Sequence, residues 1–268
     1  MKDIRWIIQR NLLAENDITD LLNAVKAVGL DFETVDVIPF SPDIPNHPID
    51  DNHTNIYYGS TTLIWNVFEK LKPSGIFYDP AVFSMENYVR RWGKHNMLSD
   101  NPSFYRFQDL VETASYRPDT LLFIRPDADT KSFSGEVIEF GDIKAWYSNL
   151  LKDDIFGLGP DTKVMVNTPY KIDKEWRNQI VNGKVVASSR YREFHELSIS
   201  GTDIPPSMIQ FAENMCAIYT PHDVFTMDIA LTTDGYSIIE CGCSNSVGLY
   251  QMNPVDYIRS ISEYVSRL

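Results

Sequence analysis

The sequence contains few of the residues that build disulfide frameworks or zinc sites. Only three cysteines (Cys216, Cys241 and Cys243) and five scattered histidines occur in 268 residues. The cysteines form no C-x-x-C pair and have no framework spacing, and the histidines belong to no zinc motif. This usage favours reduced thiols, so we expect a cytoplasmic protein rather than a secreted one.

Long apolar runs are also missing, and positive charge is scarce. No segment approaches the roughly 20 apolar residues of a membrane span, and charges interrupt the N-terminal stretch MKDIRWIIQRNLLAEND too early for a signal peptide. The 24 Lys and Arg residues oppose 37 Asp and Glu residues, which leaves a net charge of −13. We therefore expect neither general nucleic-acid binding nor a membrane partner. The hydrophobic content of 43% is typical of a globular protein.

The first part of the chain alternates between short apolar strands and amphipathic helices. This alternation predicts a small open α/β sheet over roughly the first 80 residues. A mostly helical, aromatic-rich region follows at residues 85–114. The predicted strands are residues 4–9, 34–40, 55–59 and 74–78, and the predicted helices are residues 17–28 and 60–71.

The second half is organised around residues 224–250, VFTMDIALTTDGYSIIECGCSNSVGLY. Two apolar runs flank Asp234-Gly235, which predicts a β-hairpin. A three-residue loop would place Asp228 directly opposite Glu240, whereas a two-residue turn would put the two acids on opposite faces. Like charges that face each other repel, unless a cation such as Mg²⁺ lies between them. The alternative is an ordinary hairpin with one solvated and one paired acid.

A second hairpin is predicted at residues 176–191, where two runs flank Asn182-Gly183, the preferred type I′ pair. In that register Glu175 faces Arg190, and Arg177 lies on the same face. The charged ladder is either part of a site that positions phosphates or an acid, or a surface ion-pair ladder of little energetic weight.

A flexible loop of small residues, PDADTKSFS, separates two further predicted strands at residues 120–125 and 136–140. Arg125 and Lys131 flank this loop. Such a loop can fold over an anion, with Lys131 as a point charge and Arg125 as a forked donor. The alternative is a surface hairpin with one exposed lysine.

Three blocks, taken in order, resemble the ATP-grasp superfamily, in particular the R2K-type ATP-grasp proteins found in phages and bacteria. They are LLFIRPDADTKSFSGEVIEF, VMVNTPYKIDKEWRNQIVNGKVVASSRY and the hairpin VFTMDIALTTDGYSIIECGCSNSVGLY. The resemblance covers about residues 120–250, roughly half of the chain. It implies a mixed α/β (α+β) fold, with a small N-terminal α/β region at residues 1–115 and an ATP-grasp region at residues 116–268 whose antiparallel sheets grip the nucleotide.

The resemblance also implies roles for individual residues. Gly242 stands two positions after Glu240, where many ATP-grasp enzymes have asparagine, and Asn245 lies close by in the sequence. The implied metal ligands are Asp228, Glu240 and Asn245. The implied catalytic cations are Lys131, Arg177 and Arg190. The implied nucleotide-binding residues are Arg125, Lys131, Ser132, Ser134, Gly135, Val166, Asn167, Thr168, Tyr170 and Glu175.

The activity implied by the resemblance is an ATP- and Mg²⁺-dependent carboxylate–amine (or carboxylate–thiol) ligase that acts through an acyl phosphate. Its partners would be small-molecule or peptide carboxylates and amines, in the cytoplasm of a bacterium or of a phage host. No Ser-His-Asp or Cys-His grouping is visible, so the nucleophile should come from a substrate. A phosphotransferase on the same ATP site and a non-catalytic nucleotide-binding protein are the alternatives. The sequence indicates no oligomeric state.

Overall fold

The computed structural model describes residues 3–11, 15–39, 41–129, 132–153 and 158–268. Close packing groups the chain into two compact units. Unit 1 comprises residues 1–79 and 172–268, and unit 2 comprises residues 80–171. The predicted boundary between residues 115 and 116 falls inside unit 2, and as a domain boundary it stays a prediction.

Strands and helices are interspersed along the chain. The strands are β1 (Asp3–Gln9), β2 (Asp31–Val35), β3 (His53–Tyr58), β4 (Ser103–Arg106), β5 (Leu121–Pro126), β6 (Glu136–Glu139), β7 (Lys163–Asn167), β8 (Lys174–Val181), β9 (Lys184–Glu193), β10 (Glu196–Ser200), β11 (Val224–Thr232) and β12 (Gly235–Gly242). The helices are α1 (Glu15–Val28), α2 (Thr61–Leu71), α3 (Met85–Trp92), α4 (Phe107–Glu112), α5 (Ile143–Leu150), α6 (Pro206–Ile218) and α7 (Pro254–Val265).

The N-terminal part of unit 1 is a three-stranded parallel sheet in the order β2-β1-β3. The Ser60 hydroxyl caps α2 by accepting from the Leu63 amide, as its position before the apolar run predicts. The predicted fourth strand at residues 74–78 is wrong, because only an isolated bridge from Gly75 to Ile56 forms. A Cβ at Gly75 would lie 2.1 Å from the Asn55 carbonyl oxygen, so this close approach requires glycine.

A five-stranded antiparallel sheet, in the order β10-β9-β8-β11-β12, forms the rest of unit 1. One apolar cluster joins both sheets of this unit and includes Trp6, Val224, Tyr257 and Ile258, all at most 1% exposed. The parallel sheet and the antiparallel sheet therefore share a core, although 92 residues of unit 2 separate their sequences. This shared core holds β8, β9, β11 and β12 in place.

Unit 2 has its own antiparallel sheet, in the order β4-β7-β5-β6. Its core includes Phe107, Ile124, Val164 and Val166. The prediction of a mostly helical segment at residues 85–114 missed β4, which pairs with β7 between α3 and α4. Gly93 ends α3 with a φ of +77°, a conformation that interrupts the helix before the β4 residues.

The mixed α/β fold with antiparallel sheets confirms the predicted fold class. In the described part of the chain, no helix combines the length and the apolar character that a membrane crossing needs. The longest helix, α1, has 14 residues and spans about 21 Å.

Candidate active site

Asp228 and Glu240 lie directly opposite each other on β11 and β12. Of the two alternatives for the turn, the two-residue turn forms, since Thr232 pairs with Gly235. By itself this turn would put the two acids on opposite faces. Ile239 is an extra residue between the Ile229–Ile238 and Asp228–Glu240 pairs. This β-bulge shifts the register by one residue and restores the predicted pairing of the two acids.

Arg177 lies opposite Asp228 on the neighbouring strand β8. Its Nε and Nη2 atoms donate to the two carboxylate oxygens of Asp228 at 3.0 and 2.8 Å. The side chain of Asp228 is only 3% exposed and that of Arg177 is 16% exposed. Bidentate Arg–carboxylate pairs are strong and geometrically specific, so Asp228 is held firmly.

Two tyrosines flank the guanidinium group of Arg177. The rings of Tyr191 and Tyr250 stack at a centroid distance of 5.3 Å with an interplanar angle of 8°. The Arg177 Cζ atom lies 5.5 and 5.2 Å from their respective centroids. The Tyr191 hydroxyl also donates to Glu175 Oε2 at 2.7 Å. Tyr250 was not among the predicted site residues, since no local pattern brings it to β8 and β9.

Burial dominates the electrostatics of this face. It raises the pKa of the Asp228 carboxyl; the charge of Glu240 adds to this shift and the pairing with Arg177 opposes it. Burial also raises the pKa of the Glu175 carboxyl, against the hydrogen bond from Tyr191. Three carboxyl groups accompany two arginines here, Arg177 and Arg192, so the face carries an excess of acid.

Arg190 does not join this group. The predicted pairing of Arg190 with Glu175 is wrong, because Arg190 pairs with Trp176 and Glu175 pairs with Arg192. Two extra residues on β9, Val186 and Tyr191, cause the difference. Each β-bulge moves the pairing by one residue, and the first one turns Arg190 to the face opposite Arg177.

On that opposite face Arg190 has a complete set of partners. It donates to the Ser198 carbonyl and hydroxyl oxygens at 3.1 and 3.0 Å and pairs with Asp203 and Glu193. Lys174 shares Asp203 at 2.8 Å. Two cations and two acids balance in this network, whose geometry favours a structural role for Arg190.

Asn245 is committed to the backbone of unit 1. Its amide group donates to the carbonyl oxygens of Tyr57 and Gly75 at 2.6 and 3.0 Å. Its side-chain oxygen accepts from the Phe77 amide at 2.7 Å and from the Cys243 thiol at 3.4 Å. Both lone pairs of that oxygen are therefore used, so a metal would have to displace a hydrogen bond to reach Asn245.

A buried amide lies further along the same face of β8. Gln179 Oε1 accepts from Thr226 and Ser244 hydroxyls at 3.2 and 2.7 Å. Its Nε2 atom is buried and has no hydrogen-bond partner within the described residues. Strand alternation along β8 predicts that Gln179 lies on the same face as Arg177. It does not predict that Gln179 is buried.

In unit 2, the structure brings Arg125 and Gly135 together. A Cβ at Gly135 would lie 3.7 Å from the Arg125 Cβ and only 2.6 Å from the ring of Phe123, so a larger residue there would require that ring to shift. Ser132 is buried, whereas Ser134 is exposed. Lys131, the predicted point charge of this loop, lies outside the described residues.

Four of the predicted nucleotide-binding residues lie at positions 166–170, a segment that begins in β7. Val166 pairs with Ser103 on one side and Ile124 on the other, so the sheet uses its backbone groups. Asn167 is 5% exposed, and its Nδ2 atom has no hydrogen-bond partner in the described part of the chain. Such an unsatisfied donor is costly unless a ligand or water accepts from it. Thr168 is exposed and the Tyr170 hydroxyl donates to Asp100.

The donor chemistry fits Mg²⁺ bound together with a nucleotide. Mg²⁺ takes oxygen ligands and is usually held by one or two carboxylates, with phosphate and water oxygens completing the shell. Asp228 and Glu240 supply two carboxylates, and the described residues contain no group of three or more His, Cys, Asp or Glu side chains that could hold a metal. In unit 2, taken by itself, Asn167 Nδ2 is a buried hydrogen-bond donor.

Several solved structures have similar folds at low sequence identity. D-cycloserine synthetase DcsG superposes with a TM-score of 0.65 at 12% identity, covering 98% of this chain and 99% of that one. D-alanine–D-alanine ligase from Bacillus anthracis gives 0.59 at 12% identity, with coverages of 100% and 98%. The ATP-grasp ligase PsnB with a minimal precursor gives 0.56 at 11% identity, with coverages of 98% and 99%.

Comparison by sequence gives a family but no individual relative. No curated protein matches the chain significantly. The model of the ATP-grasp domain, R2K clade family 2, matches residues 105–260, more than half of the chain, and contains every predicted site residue. The chain therefore belongs to the ATP-grasp proteins of R2K clade family 2.

Proposed function

We propose that the protein is an ATP- and Mg²⁺-dependent ligase that joins a carboxylate to an amine or a thiol through an acyl phosphate. ADP and phosphate would be released. The carrying observation is the buried face on which Asp228 and Glu240 oppose each other beside Arg177. Membership of an ATP-grasp family supports the nucleotide as the energy source.

The chain's own residues would bind and orient the nucleotide. Arg125 and Lys131 are proposed to contact its phosphates, and the segment at residues 166–170 its base, with Asn167 Nδ2 as a donor. Asp228 and Glu240 would hold Mg²⁺, which when bound neutralises charge on the phosphate oxygens. Arg177 would stabilise the charge that develops on the transferring phosphoryl group, because catalysis of phosphoryl transfer is mainly positioning and charge stabilisation.

The substrates would be a small-molecule or peptide acid and an amine or thiol. The names of structures with this fold are consistent with a small-molecule substrate and with a peptide substrate. One is a D-alanine–D-alanine ligase, and another is a ligase complexed with a precursor. The cytoplasm remains the proposed location. All three cysteines are free thiols, which fits it.

A non-catalytic nucleotide-binding protein is the second candidate. It is favoured by Gly242 at the position where many ATP-grasp enzymes have asparagine, and by the four hydrogen bonds that commit Asn245 to other partners. In that case Asp228 and Glu240 would hold a metal–nucleotide complex without turnover.

Product analysis separates these functions. The protein is incubated with ATP, Mg²⁺ and a panel of carboxylic acids, each with an amine panel that includes hydroxylamine to trap acyl phosphates as hydroxamates. Acid-dependent ADP, phosphate and hydroxamate, absent with Glu240→Gln, are expected. A stable phosphorylated product would instead identify a phosphotransferase, and nucleotide binding without any turnover would favour the second candidate.

A further inference from the structure

Arg177 already occupies the carboxylate that the proposed function assigns to a metal. Its two nitrogens donate one hydrogen bond to each oxygen of Asp228, at 3.0 and 2.8 Å. A divalent cation beside Asp228 would therefore meet a guanidinium charge at close range in a poorly solvated place. Since arginine stays protonated at any ordinary pH, that charge must be displaced or offset by an anion.

The two tyrosine rings hold the guanidinium group in place. The centroids of Tyr191 and Tyr250 and the Arg177 Cζ atom lie 5.2–5.5 Å from one another. Cation–π attraction to both rings favours this position of Arg177 over extension into solvent. The Tyr191 hydroxyl is anchored by Glu175 at 2.7 Å, so this ring is fixed in turn.

Tyr250 occupies its position at a cost to the backbone. Its φ of +54° lies in the left-handed region, which is rare for a bulky residue. The flanking chain is fastened on both sides, because the Val247 carbonyl accepts from the Tyr58 hydroxyl at 2.6 Å and the Gln251 amide donates to Ser189 Oγ at 3.3 Å. Strain that is held in this way is typical of functional sites.

We propose that Arg177 is a built-in counter-ion that keeps the Asp228–Glu240 pair closed to a free divalent cation, and that Tyr191 and Tyr250 are the positioning residues that hold it there. This inference rests on the proposed metal site. A metal would enter only with an anionic ligand, such as the phosphates of a nucleotide, that draws Arg177 away from Asp228. Metal and nucleotide would then bind with positive coupling.

The test measures binding of Mn²⁺ alone, without nucleotide, by titration calorimetry of the full-length protein. Arg177→Met should bind Mn²⁺ at least about fivefold more tightly than the unmodified protein, in the range of ordinary coupling energies. Tyr250→Asn should shift affinity in the same direction, since asparagine tolerates the left-handed backbone but has no ring. Tyr250→Phe keeps the ring and should behave like the unmodified protein.

Several outcomes would overturn the counter-ion role. Mn²⁺ binding by Arg177→Met that is unchanged, weaker or undetectable would do so. So would equal affinities for Tyr250→Asn and Tyr250→Phe, two variants that keep the ion pair and are informative even if Arg177→Met does not fold. The metal site is tested separately, since Asp228→Asn in the Arg177→Met background should abolish binding. If the double variant still binds as tightly, the proposed metal site itself is wrong.

Discussion

Two arginines of the same hairpin, Arg177 and Arg190, lie on opposite faces of one sheet and have contrasting surroundings. Arg177 pairs with Asp228, and two further acids, Glu175 and Glu240, lie near it on a buried face. Arg190 pairs with Asp203, an acid that Lys174 shares and whose side chain is 32% exposed. The first face holds three acids against Arg177 and Arg192, whereas the second holds two acids and two cations. The excess of acid, rather than the presence of an arginine, distinguishes the candidate site.

The largest difference between the Arg177 face and the Arg190 face should appear in the free energy of unfolding. Arg177→Ala leaves Asp228 buried without its partner, which should cost about 3–5 kcal/mol of unfolding free energy. Arg190→Ala should cost about 1–2 kcal/mol, because Asp203 keeps Lys174 and is partly exposed. Chemical denaturation of both variants measures this. Equal losses of unfolding free energy in the two variants would mean that the burial of Asp228 does not make its ion pair more important than that of Asp203.

The second-largest difference between the two faces should appear in the stabilisation of the fold by Mg-ADP. A ligand at 100 times its Kd adds about 2.7 kcal/mol to a protein that binds it only when folded. Asp228→Asn and Glu240→Gln should lose this Mg-ADP effect, whereas Asp203→Asn should keep it. Thermal melts with and without Mg-ADP provide the measurement. If Asp203→Asn alone loses the shift, the site belongs on the Arg190 face.

The comparison extends to the cations of unit 2. Arg125→Ala should weaken ADP binding about tenfold, the effect of losing one hydrogen bond to a charged group. Lys131→Met should weaken it similarly with less effect on stability, since a loop lysine contributes little packing. Arg117→Ala is the matched control, because Arg117 is 81% exposed and pairs with Asp119, two residues away. Calorimetric titration with ADP would remove this loop from the site if all three variants bound alike.

The smallest effect concerns pH, and its sign should differ between the faces. Hydrogen bonding from Lys174, helped by Arg190, lowers the pKa of Asp203. Its stabilisation is therefore present above the unfolded-state pKa and is lost as pH falls through the folded-state pKa. Burial raises the pKa of Glu175, so its ionisation destabilises the fold as pH rises through the unfolded-state pKa towards the folded one.

Matched variants isolate these two contributions. As pH rises from 4 to 7, Glu175→Gln should gain stability relative to the unmodified protein. The stability loss of Asp203→Asn should be nearly constant over that range and should shrink as pH falls below about 4, towards the lowered folded-state pKa. Denaturation midpoints at several pH values measure both trends. The same direction in both variants would contradict the assignment of opposite shifts.

Local sequence signals predicted much of the fold. The Asn182-Gly183 turn forms as expected, with φ values of +49° and +74°. Strands β5 and β6 lie within one residue of the predicted ranges 120–125 and 136–140. Short apolar segments were less reliable, since residues 74–78 form no strand and β4 was missed. Whether such a segment pairs depends on a distant partner, which periodicity does not reveal.

The sequence by itself determined the family, the two hairpins and the acids and cations that they carry, because turn chemistry and strand alternation act over a few residues. Tertiary structure decided which of these charges meet. Three bulge residues, Val186, Tyr191 and Ile239, carry no sequence signal, yet they separate Arg190 from Glu175 and bring Glu240 opposite Asp228. A bulge forms where packing against neighbouring strands outweighs one lost ladder position, and those neighbours lie far away in the chain.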